Sequence, residues 1–233
     1  MLSTPSRREI DHRTMKLIVG VVALSLASLT SFFASTAITS ISASYYETGW
    51  SQSIFIGFLF AISAFLLAYN GLSRGEMILS KVASAAGLGV ALFPCECVIH
   101  HVVPYVHGVS ASVMFLALTY FCYGFFRRAR SKGHPQAQAR ATVYALCGIA
   151  ILLSILTLAF DHFSRGTLSA KIPRLIFYGE ATSLIAFGIS WLTASRVLPV
   201  LTRQDERFSP LAERNPAGDD DPREPAVTAP RAV

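Results

Sequence analysis

The stretch "VYALCGIAILLSILTLAF", Val143–Phe160, runs for 18 residues without a charged side chain. A segment this long and apolar is either a helix at the heart of a large soluble core or a helix crossing a bilayer, whose hydrocarbon takes about 20 helical residues to span. The rest of the chain decides. Five further runs, Lys16–Ile38, Ser53–Tyr69, Val82–Val98, Val106–Phe126 and Leu175–Leu198, carry Lys or Arg only toward their ends. A soluble bundle needs a charged stripe on each helix to meet water, and none of the six runs has one. Hydrocarbon offers the backbone no hydrogen bonds, so each run must satisfy its own as a helix; a closed barrel would use shorter, alternating segments.

Composition points the same way. Hydrophobic residues make up 52% of the 233-residue chain and charged residues 15%, against a usual charged share of roughly 25%. The sequence predicts an all-α, polytopic integral membrane protein with six transmembrane helices. The first run has a cleaved signal peptide as its competing reading, because Arg7, Arg8, Arg13 and Lys16 precede it. A signal core is usually about 7–15 residues, shorter than this run.

The flanks set the orientation, since Lys and Arg collect in cytoplasmic loops. On one side lie Arg7, Arg8, Arg13 and Lys16, then Arg74 and Lys81, then Arg127, Arg128, Arg130, Lys132 and Arg140 in "RRARSKGHPQAQAR". On the other side, segments 39–52 and 95–105 have no basic residue, and 161–174 has Arg165, Lys171 and Arg174. This bias predicts both termini in the cytoplasm. The net charge of +6 belongs to those flanks and lacks the aromatic interleaving of a nucleic-acid binder, so no nucleic-acid partner is expected. The predicted division is a basic cytoplasmic arm over 1–15, a six-helix transmembrane domain over 16–198, and a tail over 199–233. The tail is rich in Pro, Ala and mixed charge and is expected to be disordered.

Small residues foreshadow packing. The third run reads "VASAAGLGVALF" from Val82, and small side chains let helices in lipid approach closely, so this helix is expected to be central. Ser25, Ser28, Ser31 and Ser35 form nearly one stripe on the first helix and are expected to bond to a neighbour. Cys122 and Cys147 fall at similar depth and are expected to be packing thiols.

Nearly all chemically capable groups fall at the end opposite the arginines. They are Ser42, Tyr45 and Glu47 after the first run, "FPCECVIHHVVPYVHG" (Phe93–Gly108) with His101 and His107, then Asp161, His162 and Glu180. Glu180 lies roughly 10 Å down its helix at 1.5 Å per residue, and a carboxylate at that depth needs a partner or water. These residues define an expected polar cluster on the non-cytoplasmic face, rimmed by Tyr45, Tyr46, Trp50, Tyr105 and Tyr178 as an interfacial aromatic belt. A zinc site built from His101, His107 and Glu180 is an alternative. Its ligand types suit the metal, but His101 and His107 stand at neither i,i+3 nor i,i+4, and Pro104 lies between them. A haem held by His107 and His162 has the right depth but no second pair. Ser42 or Ser44 with His107 and Asp161 could form a hydrolytic trio, without the G-x-S-x-G elbow. Cys95 and Cys97 are too close for an easy mutual disulfide.

Four motifs carry a resemblance: "SISASYYETG" (40–49), "SIFIGFLF" (53–60), "GLGVALFP" (87–94) and "HGVSASVMFLALTYF" (107–121). Together they resemble the six-helix family of the damage-regulated autophagy modulator and its FRAG-type relatives. "GEATSLIAFGISWL" (179–192) is similar to bacterial membrane proteins of the same build. The resemblance covers about residues 16–198. It implies a six-helix bundle, a non-enzymatic role in lipid organisation or signalling, and the bilayer or a lipid ligand as partner. His107 matches the family's histidine at the head of the fourth helix, and Ser42 matches its outer-loop serine. The expectation is a multi-pass protein of a cell membrane, the bacterial inner membrane, with no catalytic residues and no cofactor. A metal-dependent hydrolase acting on a lipid is the second expectation and a small-molecule transporter the third.

Overall fold

The computed structural model describes residues 12–96 and 103–209. Six α-helices follow one another: α1 (His12–Phe33), α2 (Trp50–Ala68), α3 (Arg74–Leu92), α4 (Val106–Arg130), α5 (Pro135–Phe163) and α6 (Leu175–Ala194). A 3-10 turn, Ser42–Tyr46, lies between α1 and α2, and two more, Pro199–Leu201 and Gln204–Glu206, follow α6. No strand occurs among the described residues. All six helices are long and apolar enough to cross a membrane. On α5, Leu146, Ile149, Leu153, Leu156 and Phe160 recur along one face, and each is more than half exposed. An apolar face of that extent is unfavourable against water and natural against hydrocarbon.

Each helix packs on its neighbours in sequence, and α6 closes the ring on α1 while also touching α4. The third helix, expected at the centre, stands in the ring between α2 and α4. Its small residues still permit close approach. Ser84 Oγ donates to the Ser63 carbonyl at 2.7 Å, and a Cβ on Gly87 would meet Ser63 Oγ. The backbones of α1 and α6 also approach closely. A Cβ on Gly188 would lie 2.6 Å from Leu24 Cγ and 2.9 Å from the Gly20 carbonyl oxygen. Gly188→Ala is therefore expected to destabilise by roughly 1–3 kcal/mol, the usual cost of overpacking, measured by thermal unfolding in detergent. A stability equal to the parent's would show that α1 yields freely. Of the serine stripe, Ser25 bonds back to its own helix at the Val21 carbonyl, while Ser31 and Ser35 meet other elements.

Helix ends differ from the apolar runs for local reasons. α3 starts at Arg74 because Ser73 Oγ accepts the Glu76 N–H at 3.2 Å while Glu76 Oε2 accepts the Leu72 N–H at 3.0 Å. This reciprocal cap satisfies donors that a helix start leaves orphaned. The cap draws Arg74, Glu76 and Lys81 into the helix, and Lys81 Nζ returns to the Tyr69 carbonyl and Asn70 Oδ1. α5 starts at Pro135, whose fixed φ suits a first helical position, with His134 Nδ1 accepting the Ala137 N–H at 3.2 Å. Asp161 and His162 consequently lie in the last turn of α5.

At the arginine-rich end the core is aromatic. Trp191 packs against Tyr69, Phe121, Phe125 and Phe187, with ring centroids 5.2–6.2 Å apart. Lys16 Nζ lies 5.4 Å from the Tyr69 ring centre and 5.3 Å from that of Phe125, and the Arg128 guanidinium lies 5.2 Å from Phe125. Buried Glu76 pairs with Arg128. Cys122 and Cys147 are free thiols within this end, and Cys122 Sγ contacts Ser190 Oγ at 3.3 Å.

Beyond α6 the chain folds back as a strap. Phe208 N–H donates to the Arg196 carbonyl at 3.1 Å. Glu206 receives Lys132 Nζ at 2.7 Å, Arg140 Nη2 at 3.0 Å and Arg196 Nη1 at 2.5 Å, with His134 Nε2 at 3.8 Å. The disorder expected from residue 199 thus gives way to docked chain up to residue 209, because one carboxylate meets a converging set of cations. Residues 210–233 lie outside the described residues. Burial alone would raise the Glu206 pKa. The Lys132 hydrogen bond and the Arg196, Lys132 and Arg140 charges outweigh it and hold the carboxyl at about 2, below its ordinary 4.5. A depressed carboxyl stabilises docking above its free value and loses that contribution as pH falls. Strap docking is therefore expected to weaken progressively from pH 4.5 toward pH 2, read as rising hydrogen exchange at residues 199–208. Exchange rates that follow only the intrinsic pH dependence would remove Glu206 from the docking contact.

Candidate functional site

At the opposite end, the segment between α1 and α2 tucks into the bundle. Ile38 and Ile41 are buried, the Thr39 carbonyl accepts the Phe177 N–H at 3.1 Å, and Ser51 Oγ donates to the Thr30 carbonyl at 2.8 Å. The tuck brings Ser42 to Glu180, in the second turn of α6. Glu180 Oε2 accepts the Ile41 N–H at 2.5 Å and the Ser42 N–H at 3.3 Å, and Glu180 Oε1 lies 2.8 Å from Ser42 Oγ. Ser42 Oγ lies 3.0 Å from His107 Nε2, in the first turn of α4. His107 Nδ1 lies 2.7 Å from the carbonyl oxygen of Phe93, which ends α3. One chain of contacts therefore ties α3, α4, α6 and the tucked loop together.

The protons of this chain can be counted. The Phe93 carbonyl can only accept, so His107 Nδ1 carries a hydrogen. Two contacts remain, Oε1 to Oγ and Oγ to Nε2, and the Ser42 hydroxyl supplies one hydrogen. A second must come from Nε2 or from Oε1. The trio is satisfied either as carboxylate, hydroxyl and imidazolium, or as carboxylic acid, hydroxyl and neutral imidazole. Either way it holds one shared proton, and the Ser42 hydroxyl is the bridge across which it changes owner. The adjoining cavity, about 30 Å3, is lined by apolar side chains such as Leu26, Phe55 and Met114 together with Ser42 and Glu180. That is room for about one water.

The other expected cluster members are engaged elsewhere. Glu47 takes the Ser35 hydroxyl at 2.6 Å and the Ser35 N–H at 2.9 Å, and these bonds hold its carboxyl below the usual range. The Tyr45 carbonyl accepts from Gln52 Nε2, and its ring meets Tyr46 edge-on. Asp161 Oδ1 caps the following turn through the Leu168 and Ser169 amides at 2.8 and 2.9 Å. His162 is exposed and meets the Phe163 ring edge-on. His101 and Cys97 lie outside the described residues. Cys95 is disulfide-bonded. For the zinc set, Glu180 and His107 meet only through Ser42. No group of three metal-capable side chains occurs among the described residues. For the hydrolytic trio, Ser42 and His107 do meet, but Asp161 is committed to its own turn and a carboxylate stands on the serine instead. The partners that sequence reasoning missed, the Ile41 amide and the Phe93 carbonyl, are backbone groups and leave no side-chain signature.

A second feature lies on the outer surface of the bundle at this end. A groove of about 400 Å3 between α1 and α6 is lined by Ala27, Ser28, Ser31, Phe32, Phe177, Ala181 and Ile185. Arg174, the cap residue of α6, stands beside it. Its Nε donates to the Ile38 carbonyl at 2.9 Å, its Nη2 reaches Ser31 Oγ at 3.5 Å, and its guanidinium lies 4.1 Å from the Phe177 ring centre. Small residues at 27, 28, 31 and 181 create the groove by omission of bulk.

No family model matches this chain, and neither a curated protein nor a solved structure matches it.

Proposed function

We propose that this protein is a non-enzymatic, lipid-organising protein of a bacterial inner membrane, with both termini in the cytoplasm. The orientation is supported by the Lys and Arg bias of the flanks and by the placement of the disulfide-bonded Cys95 at the end opposite the free thiols, since disulfides persist in oxidising compartments. The observation that carries the function is the groove between α1 and α6. It is large enough for a stretch of acyl chain, opens laterally where lipid lies, and has the Arg174 guanidinium beside two of its lining residues. The chain of a phospholipid fits the apolar floor, and its phosphate complements the cation at headgroup depth. The polar trio serves this role as a clasp, because each of its groups is spent on holding the tucked loop against α4 and α6.

The test is retention of lipid by purified protein in native mass spectrometry. The parent is expected to carry phospholipid through purification. Ala181→Trp, which fills the groove, is expected to lose it while keeping the parent's helical content. Equal retention by the two proteins would overturn the reading. One observation favours a second reading: the Ser42 to His107 contact at 3.0 Å is the geometry of a nucleophile and its base. That reading needs Glu180 to leave the Ile41 and Ser42 amides and open a substrate path. Labelling of Ser42 by a fluorophosphonate probe would establish it in place of the first. A transporter needs a polar path, whereas fully buried Leu26, Ile62, Leu118, Ile151 and Phe187 fill the middle of the bundle.

A further inference from the structure

The basic end holds a charge imbalance that the fold alone leaves unresolved. Arg140 has a side chain with no exposed surface, and a buried guanidinium is normally matched group for group. Its Nη1 donates to the Leu201 carbonyl and its Nη2 to Glu206, but its buried Nε has no hydrogen-bond partner. The hydroxyl of Thr202, in the same strap, is buried and unpartnered as well. One carboxylate, Glu206, is shared by three permanent cations, Lys132, Arg140 and Arg196, with His134 beside them. The only other acidic group of the strap, Asp205, is exposed and pairs with Arg203. Among the described residues, two positive charges are thus left without a counter-charge at this spot.

The carboxylate and the cations around it stand on different kinds of element. Glu206 is presented by two three-residue turns, whereas Lys132 and His134 stand in the short connection between α4 and α5, Arg140 in the second turn of α5 and Arg196 just beyond the end of α6. Those helix ends mark the polar edge of the apolar bundle, the depth at which lipid headgroups lie. A phosphomonoester brings up to two negative charges and three acceptor oxygens, which suit two guanidinium forks and an ammonium better than one carboxylate does.

We infer that Lys132, Arg140 and Arg196 form a recognition site for the phosphomonoester headgroup of a membrane lipid, and that Glu206 is its resident stand-in, displaced when the lipid binds. The inference is independent of the groove, which lies at the other end of the bundle and uses none of these residues. Binding releases the strap, so the site also couples lipid composition to the position of the C-terminal segment.

The experiment places the full-length protein in nanodiscs of phosphatidylcholine, with and without a minor fraction of phosphatidic acid, and follows hydrogen exchange at 199–208. Phosphatidic acid is expected to speed exchange across the strap by about tenfold, equivalent to about 1.4 kcal/mol, and to leave α6 protected. Glu206→Gln, which keeps the shape and removes the competing charge, is expected to exchange fast in phosphatidylcholine already and to bind phosphatidic acid about tenfold more tightly. Lys132→Gln, a half-exposed change that spares the buried cation, is expected to weaken that binding. An unchanged strap in the parent, or equal phosphatidic acid affinity for the parent and Glu206→Gln, would overturn the inference. Inorganic phosphate alone releasing the strap in phosphatidylcholine discs would overturn the assignment to a lipid. Release by phosphatidylglycerol to the same extent would overturn the assignment to a monoester.

Discussion

Glu180→Ala is expected to destabilise the protein by about 3 kcal/mol, whereas Glu180→Gln costs no more than about 1 kcal/mol. Alanine strips partners from the Ile41 and Ser42 amides and from the Ser42 hydroxyl at once, and each buried donor left without an acceptor costs about 1–3 kcal/mol before relaxation. The adjoining cavity admits about one water, which recovers part of the loss. Glutamine restores every contact in one arrangement. Its carbonyl oxygen accepts the Ile41 amide, its amide N–H donates to Ser42 Oγ, and the Ser42 hydroxyl donates to His107 Nε2. That pattern reproduces the carboxylic acid form of the trio, with His107 neutral. Unfolding in detergent followed by circular dichroism measures both variants. A glutamine variant as unstable as the alanine variant would mean that the charged arrangement, carboxylate with imidazolium, is required.

The opposite ranking is expected at the basic end. Glu76→Gln should cost about 3 kcal/mol, the low end for breaking a buried pair because Arg128 is a third exposed. Here the charge is what matters. Glu76 is the carboxylate facing Arg128 and influencing Lys16, and both cations lean on the same Phe125 ring. Glutamine keeps the hydrogen bond to the Leu72 amide yet leaves two cations close together in a low-dielectric setting. Arg128→Gln added to Glu76→Gln should recover much of the loss, since the remaining cation, Lys16, then faces no like charge at that ring. A double-mutant cycle reads the coupling directly. Additive losses would show that the pair contributes through its separate contacts alone.

These two carboxylates illustrate what was legible beforehand. Glu180 stands out in the sequence because nothing charged surrounds it in "FYGEATSLIAF", so its need for partners could be argued from depth alone. Glu76 does not stand out, because it falls among Arg74, Lys81 and polar residues that read as a loop. Its signal was there in "SRGE", a Ser followed three residues later by Glu, and that cap is what converts the apparent loop into the first turns of α3. Glu206 was hidden by a composition that reads as unstructured. Composition measures the apolar area a segment can bury, and this segment docks chiefly by charge.

The six apolar spans, their helical character and the concentration of arginines at one end were determined by the chain alone. Each depends on local properties: the length of an apolar run, the period of a helix and the residues at its ends. Only the tertiary structure decided which polar groups meet. Ser42 reaches His107 across 65 positions and Glu180 across 138, and the same side of the bundle leaves Asp161 and His162 to local turns. It also decided that Gly20 and Gly188 bring the backbones of α1 and α6 together, leaving no room for a Cβ at either position. Pairing of this kind is set by how six helices close into a ring, and no single segment carries the register of its partner.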